Sequence, residues 1–191
     1  RGHRCAGDGD RYGTRRQARA EILFGDLAAA DRLLDRMVAA SPSDPELHYL
    51  RGLRHLVTGR RDPAARSEQF QLAQRQFARA FRQDPNHYSA LFRYSEAVSI
   101  GDDFLTENNQ NILLLAVSLA PQVEEIRLAA AHFLLLRDQF EQAEALLLPL
   151  SASMHRPDSG GTAAEWLRLA RARERPGDAQ VFKFPDQPEP E

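Results

Sequence analysis

Residues 69–87 read QFQLAQRQFARAFRQDPNH, and within them Ala73, Phe77, Ala80 and Pro85 set a small residue, a large one, a small one and a proline at fixed spacing. Asn109, Leu113, Ala116 and Pro121 repeat that spacing, and Ala143, Leu147 and Leu150 continue it. Asn109 and Ala143 are 34 residues apart, Ala73 and Asn109 are 36 apart, and Ala30 and Ala73 are 43 apart. A period of this length marks stacked two-helix units, none of which can bury its apolar face alone. The chain therefore reads as all-α.

Working outward, Ala18, Ile22 and Leu23 fall at helical spacing, and Gly25-Asp26 punctuates the chain before Leu27, Leu33, Leu34 and Met37 resume it. Pro42 and Pro45, with Ser41, Ser43 and Asp44, stop that helix and cap the next. Residues 46–58 form the following helix, which Gly59 is expected to end. The stretch 60–68 is read as an inserted solvated loop, whose removal brings the 43-residue interval back to the common period. Further helices are expected at 69–83, 88–100, 106–119, 124–136 and 139–150. Asn109 stands where a small apolar residue belongs, which marks either a buried polar contact or a looser helix pair.

Pro157, Gly160 and Gly161 make a loop, after which Thr162 caps a last helix whose Ala163, Trp166, Leu167 and Ala170 form an apolar stripe. Trp166 and Leu167 are the expected lid over the end of the stack. The organisation is thus a mobile lead-in at 1–10, a helical repeat domain at 11–175, and a disordered acidic, proline-rich tail at 176–191. Val181, Phe182 and Phe184 are the tail's large apolar residues, so it reads as a plain tail or a short docking peptide.

Composition narrows the function. A net charge of -2, from 25 basic and 27 acidic residues, argues against a surface built to hold phosphates, and no nucleic-acid partner is expected. No apolar run reaches the roughly 18 residues of a membrane span. A single cysteine, Cys5, excludes an internal disulfide and a cysteine-rich zinc site. His48 and His55 are seven apart, too far for the usual zinc pair, and read as structural or surface histidines. Asp102, Asp103 and Glu107 lack the alternation and central glycine of a calcium loop. No metallopeptidase helix, phosphate-cradling loop or nucleophile elbow is present. The expectation is a non-enzyme with no catalytic residue, metal or cofactor. The start at Arg1, without methionine or an apolar leader, reads as a fragment or processed product.

The small–large–small–proline pattern resembles the tetratricopeptide repeat, a two-helix unit of about 34 residues. That resemblance implies a right-handed α-solenoid of about four helix pairs with a C-terminal capping helix. It also implies a concave surface lined by the first helix of each pair, here Tyr12, Arg15, Arg19, Glu46, Tyr49, Leu53, Phe92, Glu96, Leu128 and His132. The carboxylate clamp of chaperone adaptors of that family needs Lys and Asn on successive first helices. Tyr49, Leu53, Phe92 and Glu96 stand there instead, so no such binding is expected. The expected ligand is a protein or an apolar peptide held by Tyr49, Leu53, Phe92, Leu128 and His132, with Glu96 supplying selectivity; the alternative is that further segments of the protein itself cover these side chains. Residues 83–173 are also similar to the C-terminal repeat region of large bacterial proteins whose N-terminal part resembles a gluzincin metallopeptidase. Asp84-Pro85, the run 91–95, Leu119-Ala120-Pro121, and Leu148-Pro149-Leu150 followed by Gly160-Gly161 carry that similarity. It implies an accessory, substrate-positioning repeat region with no catalytic residue of its own.

Overall fold

The structure, a computed structural model, describes residues 6–99, 104–151 and 157–177 together with Phe182 and Phe184. His3, Cys5, Asp102, Asp103 and His155, half of the expected lead-in and most of the tail lie outside these residues. The described residues contain nine helices and no strand. They fall into two compact units, Arg1–Ile100 and Gly101–Glu191.

The first unit holds α1 (Ala6–Phe24), α2 (Leu27–Ala40), α3 (Pro45–Arg61), α4 (Arg66–Gln83) and α5 (Tyr88–Val98). Adjacent helices pack in turn from α1 to α5, and α3 also lies on α1 and α5 on α3, so alternate helices touch as well. Side-chain caps set the boundaries. The Ala28 N–H donates to Asp26 Oδ1 at 2.9 Å, and the Glu46 N–H donates to Asp44 Oδ1 at 3.0 Å with Pro45 at the first helical position. The expected lead-in is shorter than residues 1–10, because α1 already runs from Ala6. Extending a formed helix adds one hydrogen bond per residue fixed, so it continues past the last patterned position. Ile22, Leu33, Leu34, Leu47, Leu50, Leu53, Leu56, Phe70 and Phe77 form the core, with Ala18, Ala30, Ala73, Ala80 and Ala90 completely buried at the close approaches.

Gly59 does not end α3. The helix passes through it to Arg61, and a side chain there would place Cβ 2.7 Å from a Phe70 ring carbon. Gly52 serves Phe77 in the same way, at 2.5 Å. These two glycines are holes for two knobs: both pairs are seven residues apart in sequence, so the contact repeats every two turns of the antiparallel pair. His48 and His55 share the period. Each turns Nδ1 to the amide oxygen of a glutamine on α4, Gln76 at 3.0 Å and Gln69 at 2.8 Å. An amide oxygen only accepts, so Nδ1 of each imidazole carries the proton. The extra residues near 60–68 accordingly lengthen α3 and α4 to 17 and 18 residues instead of forming a long loop. The turn that remains is held by the Ala64 N–H donating to Asp62 Oδ1 at 3.0 Å.

The second unit holds α6 (Glu107–Leu119), α7 (Glu124–Leu136), α8 (Phe140–Ser151) and α9 (Pro157–Ala172). Here α7 packs between α6 and α8, and α9 covers α8 and reaches α7. Thr106 caps α6 by accepting the Asn109 N–H at 3.3 Å. Asn109 is buried and its side-chain amide donates to the Phe104 carbonyl at 2.9 Å, so it makes the buried polar contact. Helix α9 begins at Pro157, and Thr162 lies inside it; proline's fixed φ is pre-organised for a first turn, which the loop reading of 157–161 missed. Trp166 and Leu167 are buried against the core of Leu134, Leu135, Phe140, Ala143 and Leu147.

Helices α7 and α9 end alike. Asp138 and Arg173 adopt φ of 59° and 57°, and the next N–H in each case reaches back five residues, Gln139 to the Leu134 carbonyl at 2.9 Å and Glu174 to the Leu169 carbonyl at 3.0 Å. Exposed ion pairs then tie the end of α9 to its neighbours: Arg175 to Asp138 at the end of α7, and Arg171 at 2.8 Å and Arg173 to Glu144 and Glu141 on α8. The hydrogen-bonded Arg175 guanidinium holds the Asp138 carboxyl below its ordinary range.

Candidate functional site

The six residues expected to meet a ligand lie at helical spacing in the expected elements: Tyr49 and Leu53 on α3, Phe92 and Glu96 on α5, Leu128 and His132 on α7. All six are interior, with exposures between 0% and 7%. Their apolar character fills a core. A face that alternates aromatic and aliphatic residues gains more by being covered than by waiting for a partner.

In the first unit, the Tyr49 ring lies 5.0 Å from the His87 ring and 6.0 Å from Phe77. His87 also caps α5, its Nδ1 accepting the Ala90 N–H at 3.3 Å, while its Nε2 lies 3.4 Å from a Glu46 carboxylate oxygen. Glu96 is fully buried and already engaged. Arg93 donates to one carboxylate oxygen at 2.7 Å and Arg60 to the other, with both guanidinium side chains less than a tenth exposed. A carboxylate taken out of water requires such partners. Glu96, expected to supply selectivity, is buried here and ties the end of α3 to α5. Arg93 lies one turn before Glu96 and was legible as a neighbour, whereas Arg60 was hidden by the loop reading of 60–68.

In the second unit, Leu128 joins the core and His132 stacks on Trp166 with centroids 5.1 Å apart and planes 32° from parallel. Burial lowers the His132 pKa to about 4, so the ring is neutral at pH 7. Its Nε2 is buried and has no hydrogen-bond partner among the described residues. Trp166 carries a second ring on its other contacts: Phe182 at 6.3 Å, itself edge-on to Phe184 at 5.1 Å and 82°. The tail expected to be disordered from residue 176 therefore has these two rings packed in the second unit, Phe184 buried and Phe182 partly so.

An open cleft beside Thr14, Arg15, Arg36, Met37, Ala40, Ser41 and Asp44 measures about 120 Å³. Small-molecule sites usually occupy about 300–1,000 Å³. Its Arg15 is paired with Asp44 at 2.5 Å. Among the described residues no group of three His, Cys, Asp or Glu is placed to hold a metal ion, and no helix is long and apolar enough to cross a membrane. No protein-family model matches the chain, and no curated protein matches it.

Proposed function

We infer that the chain is a tetratricopeptide-like solenoid of about four helix pairs with α9 as its cap, and that it serves as a non-enzymatic scaffold for a protein or peptide. The observations that carry this reading are the packing of alternate helices within each unit, α3 on α1 and α5 on α3 in the first and α9 on α7 in the second, and the alanines completely buried at the repeat positions Ala73 and Ala80 on α4 and Ala143 on α8. Stacked pairs of this kind present a row of first helices, the usual seat of an extended or helical ligand. Tyr49, Leu53, Phe92 and Glu96 in the first unit, and Leu128 and His132 in the second, are interior and support the first helices of their own unit from beneath.

The test is peptide-display selection against the full chain, followed by hydrogen exchange with a selected peptide bound. Protection concentrated on the first helices of a unit, α3 and α5 or α7, is the expected result. Protection confined to α2, α4, α6 and α8, or no saturable binder, overturns the reading.

A further inference from the structure

The net charge of -2 conceals two opposite halves. Residues 1–100 hold 17 basic and 12 acidic residues, whereas residues 101–191 hold 8 and 15, so the first unit carries +5 and the second -7. How the charges are used sharpens the contrast. In the second unit, Arg168, Arg171, Arg173 and Arg175 each lie in an ion pair. In the first, most acids are committed to local structure: Asp26, Asp44, Asp62 and Asp84 accept backbone N–H groups at helix starts and turns, and Asp31 and Glu96 are paired with arginine. Several of its arginines are left over. Arg75, Arg79 and Arg82 on α4, like Arg19, Arg32 and Arg36 on α1 and α2, are exposed and make no hydrogen bond or ion pair among the described residues.

The three on α4 are the ordered part of this surplus. Helix α4 buries Phe70, Ala73, Phe77 and Ala80, and its opposite face carries Glu68, Gln71, Arg75, Arg79 and Arg82. Residues three and four apart are neighbours on a helix, so the three guanidinium groups follow one another turn by turn along about 10 Å of α4. Like charges so placed weaken a helix, and of the three only Arg82 sits in the last turn, where the helix dipole favours a cation. The acid on this face, Glu68, is two turns before Arg75. Planar forks in a row suit carboxylates, which they bind in bidentate geometry. Phosphates satisfy the same forks, but this face carries no aromatic side chain for a base to stack on, and three charges fall short of the roughly six to ten phosphate contacts of a duplex binder. The chemistry favours a short acidic peptide.

We propose that the Arg75, Arg79 and Arg82 face of α4 is a docking site for an acidic peptide segment whose carboxylates engage successive guanidinium groups along the helix. This site lies outside the row of first helices discussed above, and neither reading depends on the other.

The experiment uses the full chain and a fluorescein-labelled oligoglutamate of about ten residues, long enough when extended to span the three arginines. Fluorescence anisotropy compares the wild type with two double variants that remove equal charge: Arg75→Gln with Arg79→Gln on α4, and Arg32→Gln with Arg36→Gln on α2. Glutamine matches arginine in helix propensity, so helical circular dichroism is expected to stay unchanged in both. Saturable binding to the wild type is expected, weakened about tenfold or more by the α4 substitutions and little changed by the α2 pair. Hydrogen exchange of the wild type with the probe bound is expected to show protection on α4, a readout that needs no variant. No saturable binding, equal weakening by the two variants, or protection elsewhere than α4 overturns the proposal. So does an oligodeoxynucleotide of similar length that binds the wild type as tightly, which would make this face a nucleic-acid site. Salt-sensitive self-association of the wild type that the α4 substitutions abolish would make the acidic unit of a second copy the occupant, and overturns it too. Hydrogen-exchange protection on the first-helix row remains a separate readout for the scaffold reading.

Discussion

His132 is a base held where it cannot be charged. An imidazole in the unfolded chain titrates near 6.5 and this one near 4, so between those values the unfolded state takes up a proton that the folded state refuses. Its contribution is complete above about pH 6.5 and is lost as pH falls toward 4, a loss on the order of 2 kcal/mol by pH 4.5. His132→Phe keeps a ring against Trp166 and removes the proton. In urea titrations followed by Trp166 emission, the wild type is expected to lose on the order of 2 kcal/mol more than the variant between pH 7 and pH 4.5. Equal losses would mean that the imidazole is solvated. Glu96 poses the opposite problem, a charge that is buried and must stay paired. Glu96→Leu leaves the guanidinium groups of Arg60 and Arg93 without their shared carboxylate and is expected to cost about 3–5 kcal/mol, read by circular dichroism. Adding Arg60→Met should recover part of that loss, since an apolar group of similar volume tolerates the same site. No recovery would show that Arg60 is held by other contacts.

At the scale of elements, the α3–α4 pair explains which parts of the fold could be read in advance. Ala73, Phe77 and Ala80 announced α4 because their spacing is local. Gly59 misled because a glycine that stops a helix and one that admits a neighbour's ring look identical until the neighbour is known. The clue is the shared seven-residue step of Gly52 with Gly59 and Phe70 with Phe77, which becomes meaningful only in the paired register. The burial of the six candidate ligand residues was out of reach for a related reason: spacing assigns them to faces of α3, α5 and α7, whereas exposure depends on what covers each face. The glycine contacts give a sharp expectation. Elsewhere in a helix Gly→Ala gains about 1 kcal/mol, but here the new Cβ meets Phe77 or Phe70 at under 3 Å. Gly52→Ala and Gly59→Ala should each destabilise the first unit by about 1–3 kcal/mol in urea denaturation. Gly52→Ala combined with Phe77→Leu should lose less than the two changes added, a coupling of about 0.5–3 kcal/mol. A rise in midpoint for either glycine variant would show that the rings move aside freely.

At the scale of the molecule, the chain carries an apolar core in each unit, one around Leu53 and Phe77 and the other around Leu147 and Trp166. A unit with its own core has the means to unfold by its own transition, and Trp166 emission then follows the second unit while circular dichroism follows both. Leu53 and Leu147 are both fully buried, so truncating either to alanine costs about 2–5 kcal/mol within its own unit. Leu147→Ala is expected to lower the urea midpoint seen by Trp166. Leu53→Ala should leave that midpoint in place and instead broaden or split the circular dichroism transition, as helices α1 to α5 melt earlier. The comparison discriminates because the two substitutions remove the same atoms from equally buried sites. If Leu53→Ala shifts the Trp166 transition as far as Leu147→Ala does, the helices unfold as one cooperative block, and the division at Ile100 and Gly101 has no energetic meaning.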